Sequence, residues 1–216
     1  MSRLDPKPSG VRKLMLEDIP EIVRIHQMTL PVSPFVQMGR EFLERLYYPS
    51  LMREPSVFCL GYQFQNRLAR FLCGSSDAGL LSWRLARSNL LKFLSVVVKT
   101  VWQDPKKIGL FLELVRFVMA ESPKEAKQIK AQLLSFAVDE EFRSLDFYKR
   151  HPIKIANLLF DAALSELRQM RVTKFKLITD AKNIANIFYK NRGMKVIENF
   201  RQGNSYSVYV GEIGDP

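Results

Sequence analysis

The residues of this chain best suited to chemistry lie in one stretch, QLLSFAVDEEFRSLDFYKRHPIKIANLLFDAALSEL, from Gln132 to Leu167. Asp139, Glu140 and Glu141 offer carboxylates that can take a proton. A basic run with Arg143, Lys149, Arg150 and Lys154 follows them and leads into a helical pattern. Free N–H groups and the positive dipole end of a helix start, beside such a run, make a natural site for a phosphate or carboxylate. His151, next to Pro152, can touch a phosphate or simply start the helix. His26 lies one residue from an apolar helical stripe and reads as structural. Cys59 and Cys73 have apolar neighbours and no metal or disulfide spacing, so both read as buried strand positions. With only two histidines, a zinc cluster is not expected.

The period of the apolar residues defines the elements that must hold these groups. Leu134, Phe136 and Val138 alternate with small or polar neighbours, whereas Ala156, Leu159, Phe160, Ala163 and Leu167 recur at helical spacing. The pattern therefore changes from strand to helix across the basic run. Upstream, residues 1–10 read as a loose tail and Val11 to Leu16 as a first strand. A helix then starts at Glu17–Pro20, with Asp18 as its cap and Ile22, Ile25 and Leu30 on one face. A second helix is predicted from Gly39 to Met52, loosened by Pro49. Two apolar runs then meet at Gln65-Asn66 as a hairpin. Downstream, Lys174 to Thr179 alternates as a strand and Asp180 to Lys190 forms a helix closed by Gly193. Met194 to Phe200 and Ser205 to Val210 make a final strand pair.

About residues 77–130 read as a two-helix insert divided by Pro105. Its first segment carries Trp83, Ala86, Leu90, Phe93, Val97 and Val101 on one face and Arg84, Ser88, Lys92, Ser95, Lys99 and Gln103 on the other. From Arg84 to Lys107 there are six basic residues against Asp104 alone, a net charge of +5. Such a stripe suits peripheral contact with a membrane, an acidic partner or the cover of a cleft, or it is a solvated helix face. The second segment gathers Ile108, Phe111, Leu112, Val115 and Met119.

At 216 residues, 47% hydrophobic and 25% charged, the composition is that of an ordinary globular protein, expected as one domain over residues 11–216. No apolar run approaches the roughly 20 residues of a membrane span, and the N-terminus lacks the apolar core of a secretory signal, which predicts a cytoplasmic protein. The net charge of +11 favours anionic partners or is merely a basic surface. Nucleic acid is not expected, because the aromatics lie along apolar faces and are not interleaved with Lys and Arg.

The order of elements, with LLSFAVDEEFR as central strand and ANIFYKNRGMKVI close to an AxxFYxxxGF signature, resembles the GNAT superfamily of N-acyltransferases. The resemblance covers all but the tail and the insert. It implies an α/β (α+β) fold with a mixed, mostly antiparallel central sheet flanked by helices, and an acetyl-CoA or other acyl-CoA co-substrate with no metal. By the same resemblance the backbone of Phe136, Ala137 and Val138 would bind pantetheine, Asn183 or Asn186 would contact the cofactor arm, and Tyr189 would protonate or orient the leaving sulfur. Glu140 and Glu141 become candidate bases.

The family's glycine-rich pyrophosphate loop is not matched. Counted forward from the strand, Arg143 takes its first position and Asp146 and Tyr148 the glycine positions. Counted back from the helix, Arg150 takes it, with Ile153 and Ile155. A longer, glycine-free loop would hold coenzyme A through Arg143, Lys149, Arg150 and Lys154. Alternatively the donor is an acyl carrier protein, which presents a single phosphate on an acidic surface, or thioester binding is lost and the fold is a binding module. The acceptor is expected to be a primary amine, with an anionic compound or an amino sugar among the possibilities.

Overall fold

Gln65 and Asn66, with φ of 46° and 68°, turn the chain sharply between strands β2 (Val57–Phe64) and β3 (Arg67–Ser75), the backbone a tight hairpin demands. β1 (Gly10–Lys13) pairs with β2 on its other side. The computed structural model describes residues 9–31, 33–79, 128–202 and 204–214, with positions 81, 84, 109 and 126. Four further strands complete the sheet: β4 (Ala131–Val138), β5 (Lys174–Asp180), β6 (Lys195–Gln202) and β7 (Asn204–Glu212). The seven strands run in the order β1-β2-β3-β4-β5-β7-β6. Every pair is antiparallel except β4 with β5.

Alternation along β3 separates two cores. Phe71 and Cys73 join Ile22, Ile25, Leu43, Tyr48 and Leu51 on one face, whereas Leu72 joins Leu159, Phe160, Ala163, Leu167 and Tyr189 on the other. The first face is covered by α1 (Ile19–Thr29), α2 (Pro34–Gln37), α3 (Arg40–Phe42), a π-helical segment (Leu43–Tyr47) and α4 (Tyr48–Leu51). Pro49 has no N–H to donate, and the helix widens immediately before it. This turn buries Tyr48 completely, with its hydroxyl 2.6 Å from His26 Nδ1. The second face is covered by α6 (Ile155–Gln169) and α7 (Ala185–Asn191). Gly193, at φ 76°, closes α7, and Met194 N–H donates back to Tyr189 O over 3.1 Å.

The structure departs from the sequence reading in four places. Gly10 already belongs to β1, so the predicted tail is shorter. The first strand stops at Lys13, because the Asp18 carboxylate accepts the Met15 N–H at 2.8 Å, pairs with Arg12 at 2.6 Å and draws the chain into a 3-10 turn, Leu16–Asp18. The stretch FRSLDFYKRHP is helical for much of its length: a 3-10 turn, Glu140–Arg143, is followed by α5 (Leu145–Arg150). The short helix α2 has too few residues to display a period. Apart from positions 77–79, 81, 84, 109, 126 and 128–130, the predicted two-helix insert, with Ser88, Lys92, Ser95, Lys99 and Gln103 of its basic stripe, lies outside the described residues. Ala78 N–H donates to Lys130 O at 2.8 Å, which joins the chain on either side of the insert. Arg84 donates to Asp77 O at 2.9 Å.

Candidate active site

β4 and β5 begin side by side and then part. Their ladder ends at Leu133↔Leu177, although β4 stays paired with β3 as far as Val138↔Arg70, and β5 with β7 as far as Asp180↔Tyr206. Cys73↔Ser135 followed by Gly74↔Leu133 leaves Leu134 as the extra residue of a bulge, which bends β4 where the two strands separate. Asp139 N–H donates to Ala69 O at 2.9 Å, so by antiparallel alternation the Ala137 amide and carbonyl face β3, and those of Phe136 and Val138 face the opening. Of the three expected backbone contacts, Ala137 is therefore on the wrong edge. The Val138 carbonyl already accepts the Thr29 hydroxyl at 3.0 Å.

On the α6–α7 side the Phe136 ring lies 5.7 Å from Phe188 and 6.4 Å from Phe160. Asn186 and Tyr189 are one helical turn apart and share a face of α7. Asn186 donates to Asp180 O (3.1 Å) and Ala181 O (2.9 Å), which orients its amide and leaves Oδ1 buried without a partner among the described residues. Asn183 Oδ1 accepts the Ala185 N–H at 2.9 Å. Tyr189 is buried against Phe188 and Tyr209, and burial pushes its phenol up to about 12, opposed by the positive charge of Arg70. Its hydroxyl makes no hydrogen bond among the described residues.

Arg70 is the residue that sequence reasoning missed. It stands on β3 opposite Val138, and its guanidinium lies 4.8 Å over the Phe136 ring. Nε and Nη1 are sealed from solvent and have no hydrogen-bond partner among the described residues. Burial pulls its pKa down to about 10, the nearby phenols of Tyr148 and Tyr189 opposing the shift and Arg143 adding to it. The signal was an arginine in the apolar run LARFLCG, on the same side of the strand as Leu72.

The segment between β4 and α6 is a helical hook. Asp139 Oδ1 caps the 3-10 turn through Glu141 N–H (3.1 Å), and Ser144 Oγ caps α5 through Phe147 N–H (3.1 Å). Phe142 and Phe147 pin it into a cluster with Tyr62, Val138 and Ile155, with Phe64 5.8 and 5.3 Å from their rings. Glu141 is held by Arg67 at 2.6 Å, and Asp139 by Arg24 at 2.5 Å; Glu140 is exposed and has no ion-pair partner among the described residues. Arg143, Lys149, Arg150 and Lys154 are exposed, and none has a carboxylate partner among the described residues. At the α6 start, Ile155 and Asn157 already donate to Ile153 O (3.0 Å) and Lys154 O (2.9 Å).

Beneath Ser135, on the opposite face, is a second polar group. Burial lowers His26 to about 4 and raises Tyr47 and Tyr48, an effect that the Ser135 hydroxyl opposes. Cys59 and Cys73 face each other across β2 and β3 as free thiols. Among the described residues no three metal-ligating side chains cluster, and no helix is long and apolar enough to cross a membrane.

No family model matches the sequence, and no curated protein matches it. Solved structures do match the fold. An N-acetyltransferase from Staphylococcus aureus superposes with a TM-score of 0.59 at 12% identity, covering 96% of this chain and 100% of that one. Ard1 from Thermoplasma volcanium gives 0.54 at 16% identity, over 96% and 99% of the two chains. The PaiA N-acetyltransferase of Thermoplasma acidophilum, solved in complex with coenzyme A, gives 0.52 at 14% identity, over 95% and 99%. The chain has the fold of the GNAT N-acetyltransferases.

Proposed function

We propose that the chain is an N-acyltransferase that moves an acyl group from an acyl-CoA, acetyl-CoA first among them, directly to a primary amine. The observation that carries this reading is the open edge of β4 beside two unspent polar groups, the Asn186 amide oxygen and the Tyr189 phenol. The donor supplies an activated thioester carbonyl. Phe136 N–H and C=O on the open edge, with Asn186 Oδ1, can hold the amides of a pantetheine arm. The amine attacks the carbonyl carbon, and a free N–H on the same edge can receive the oxyanion. The C–S bond then breaks, and Tyr189, protonated throughout the neutral range, gives a proton or a hydrogen bond to the departing thiolate.

Glu140 is the freer of the two candidate bases, acting through water; Glu141 would first have to leave Arg67. The unpaired cations Arg143, Lys149, Arg150 and Lys154 at the rim suit an anionic donor. An amino sugar fits as acceptor because it presents a primary amine, and an anionic acceptor would suit the charge.

A second donor is favoured by the hook itself. It offers helical turns where a glycine-lined loop would present backbone N–H groups, and a carrier protein with one phosphate needs fewer of them. The test is release of free thiol from acetyl-CoA, and from an acetylated acyl carrier protein, in the presence of a panel of amines. Amine-dependent release from either donor supports the reading and selects the donor; release from neither, with no donor binding, leaves a non-catalytic module.

A further inference from the structure

We propose that Arg70 binds a phosphate of the donor's phosphopantetheine arm, so that a buried guanidinium replaces the missing glycine loop. The inference rests on the thioester-donor reading above and identifies how that site takes an anion. Arg70 pairs with Val138 at the far end of the open edge, and its side chain lies on the face shared by Phe136, Phe188 and Tyr189. The guanidinium lies over the Phe136 ring, and two of its nitrogens are sealed and unbonded among the described residues. A buried cation is costly to keep without a partner. No carboxylate pairs with Arg70 among the described residues; the acids that follow β4 are engaged elsewhere, Asp139 with Arg24 and Glu141 with Arg67. The formal charge closest in influence is Arg143, of the same sign.

Two main-chain amides at the α6 start, those of Ile155 and Asn157, are already bonded within the chain, which leaves more of the anion binding to side chains. Arg70 contributes a guanidinium over the Phe136 ring whose Nε and Nη1 have no hydrogen-bond partner among the described residues. That group is suited to a phosphate oxygen, with charge-assisted bonds stronger than neutral ones. One phosphate is common to coenzyme A and to the prosthetic group of a carrier protein, and Arg70 reads that shared chemistry.

The test compares wild type with Arg70→Met and Arg70→Lys, using pantetheine, 4′-phosphopantetheine, coenzyme A, a carrier protein bearing phosphopantetheine, and inorganic pyrophosphate. Arg70→Met should melt at a higher temperature than wild type when free, because a buried charge without a partner is gone. It should bind 4′-phosphopantetheine and coenzyme A about 10- to 100-fold more weakly, with pantetheine unaffected. Arg70→Lys should recover part of that loss. A variant that melts lower and loses all pantetheine ligands equally makes Arg70 structural and overturns the proposal. Coenzyme A binding that is indifferent to Arg70 also overturns it, and leaves the donor reading intact. If pyrophosphate stabilises wild type through Arg70 while no pantetheine compound binds, the donor reading fails and the anion site stands. A larger Arg70-dependent shift with coenzyme A than with the carrier protein, or the reverse, identifies the source of the phosphate.

Discussion

Tyr189 and His26 are both displaced by burial towards their neutral forms, and the signs have separate consequences. The raised phenol of Tyr189 contributes stability that is complete below its ordinary value near 10 and is lost only as pH rises through about 12. It therefore cannot produce an activity limb between pH 6 and 9. Tyr189→Phe should lower kcat about tenfold or more with donor affinity nearly unchanged, measured by steady-state kinetics; equal kcat removes the phenol from the mechanism. His26 is lowered to about 4, so its contribution is complete above about 6.5 and is lost as pH falls through 4. Of the order of 3 kcal/mol is involved. Melting curves at pH 7 and pH 4.5 should show a smaller acid loss in His26→Gln than in wild type. Tyr189, and Asn183 or Asn186, enter the proposed site through the resemblance of ANIFYKNRGMKVI to a family signature. Arg70 was not legible in the sequence, because alternation tells which side of a strand a residue faces and says nothing about whether its polar atoms find partners.

The hook between β4 and α6 replaces a loop by two short helical turns held by aromatic side chains. Its sequence hides this, since a six-residue helix is too short to show a period and the caps Asp139 and Ser144 are common in loops as well. Phe147→Ala should cost about 3 kcal/mol by denaturant unfolding and weaken donor binding, because the hook would no longer be pinned against Val138 and Ile155. Leu145→Ala, on the exposed side, should change stability by less than about 0.5 kcal/mol. Equal effects would mean that the pins do not hold the segment. The long elements β2 to β5 and α6 were legible from their periods. The π turn before Pro49 was foreshadowed only as a loosening, since a proline marks a lost hydrogen bond and not the geometry that absorbs it.

Across the whole molecule, two cores on opposite faces hold β4 rigidly against β3 while its other edge is left open, and the free cations at the rim give the +11 charge a local use. The proposed thioester donor, carried on a phosphorylated arm, would use opening, hook and rim together. The most direct test is thermal melting of the wild-type chain during titration with acetyl-CoA and with an acetylated acyl carrier protein. At about a hundredfold excess over Kd, a true donor should raise Tm by about 5 °C. A melting temperature unmoved by either donor, at any concentration up to millimolar, would contradict the assignment of the β4–β5 opening as the donor site.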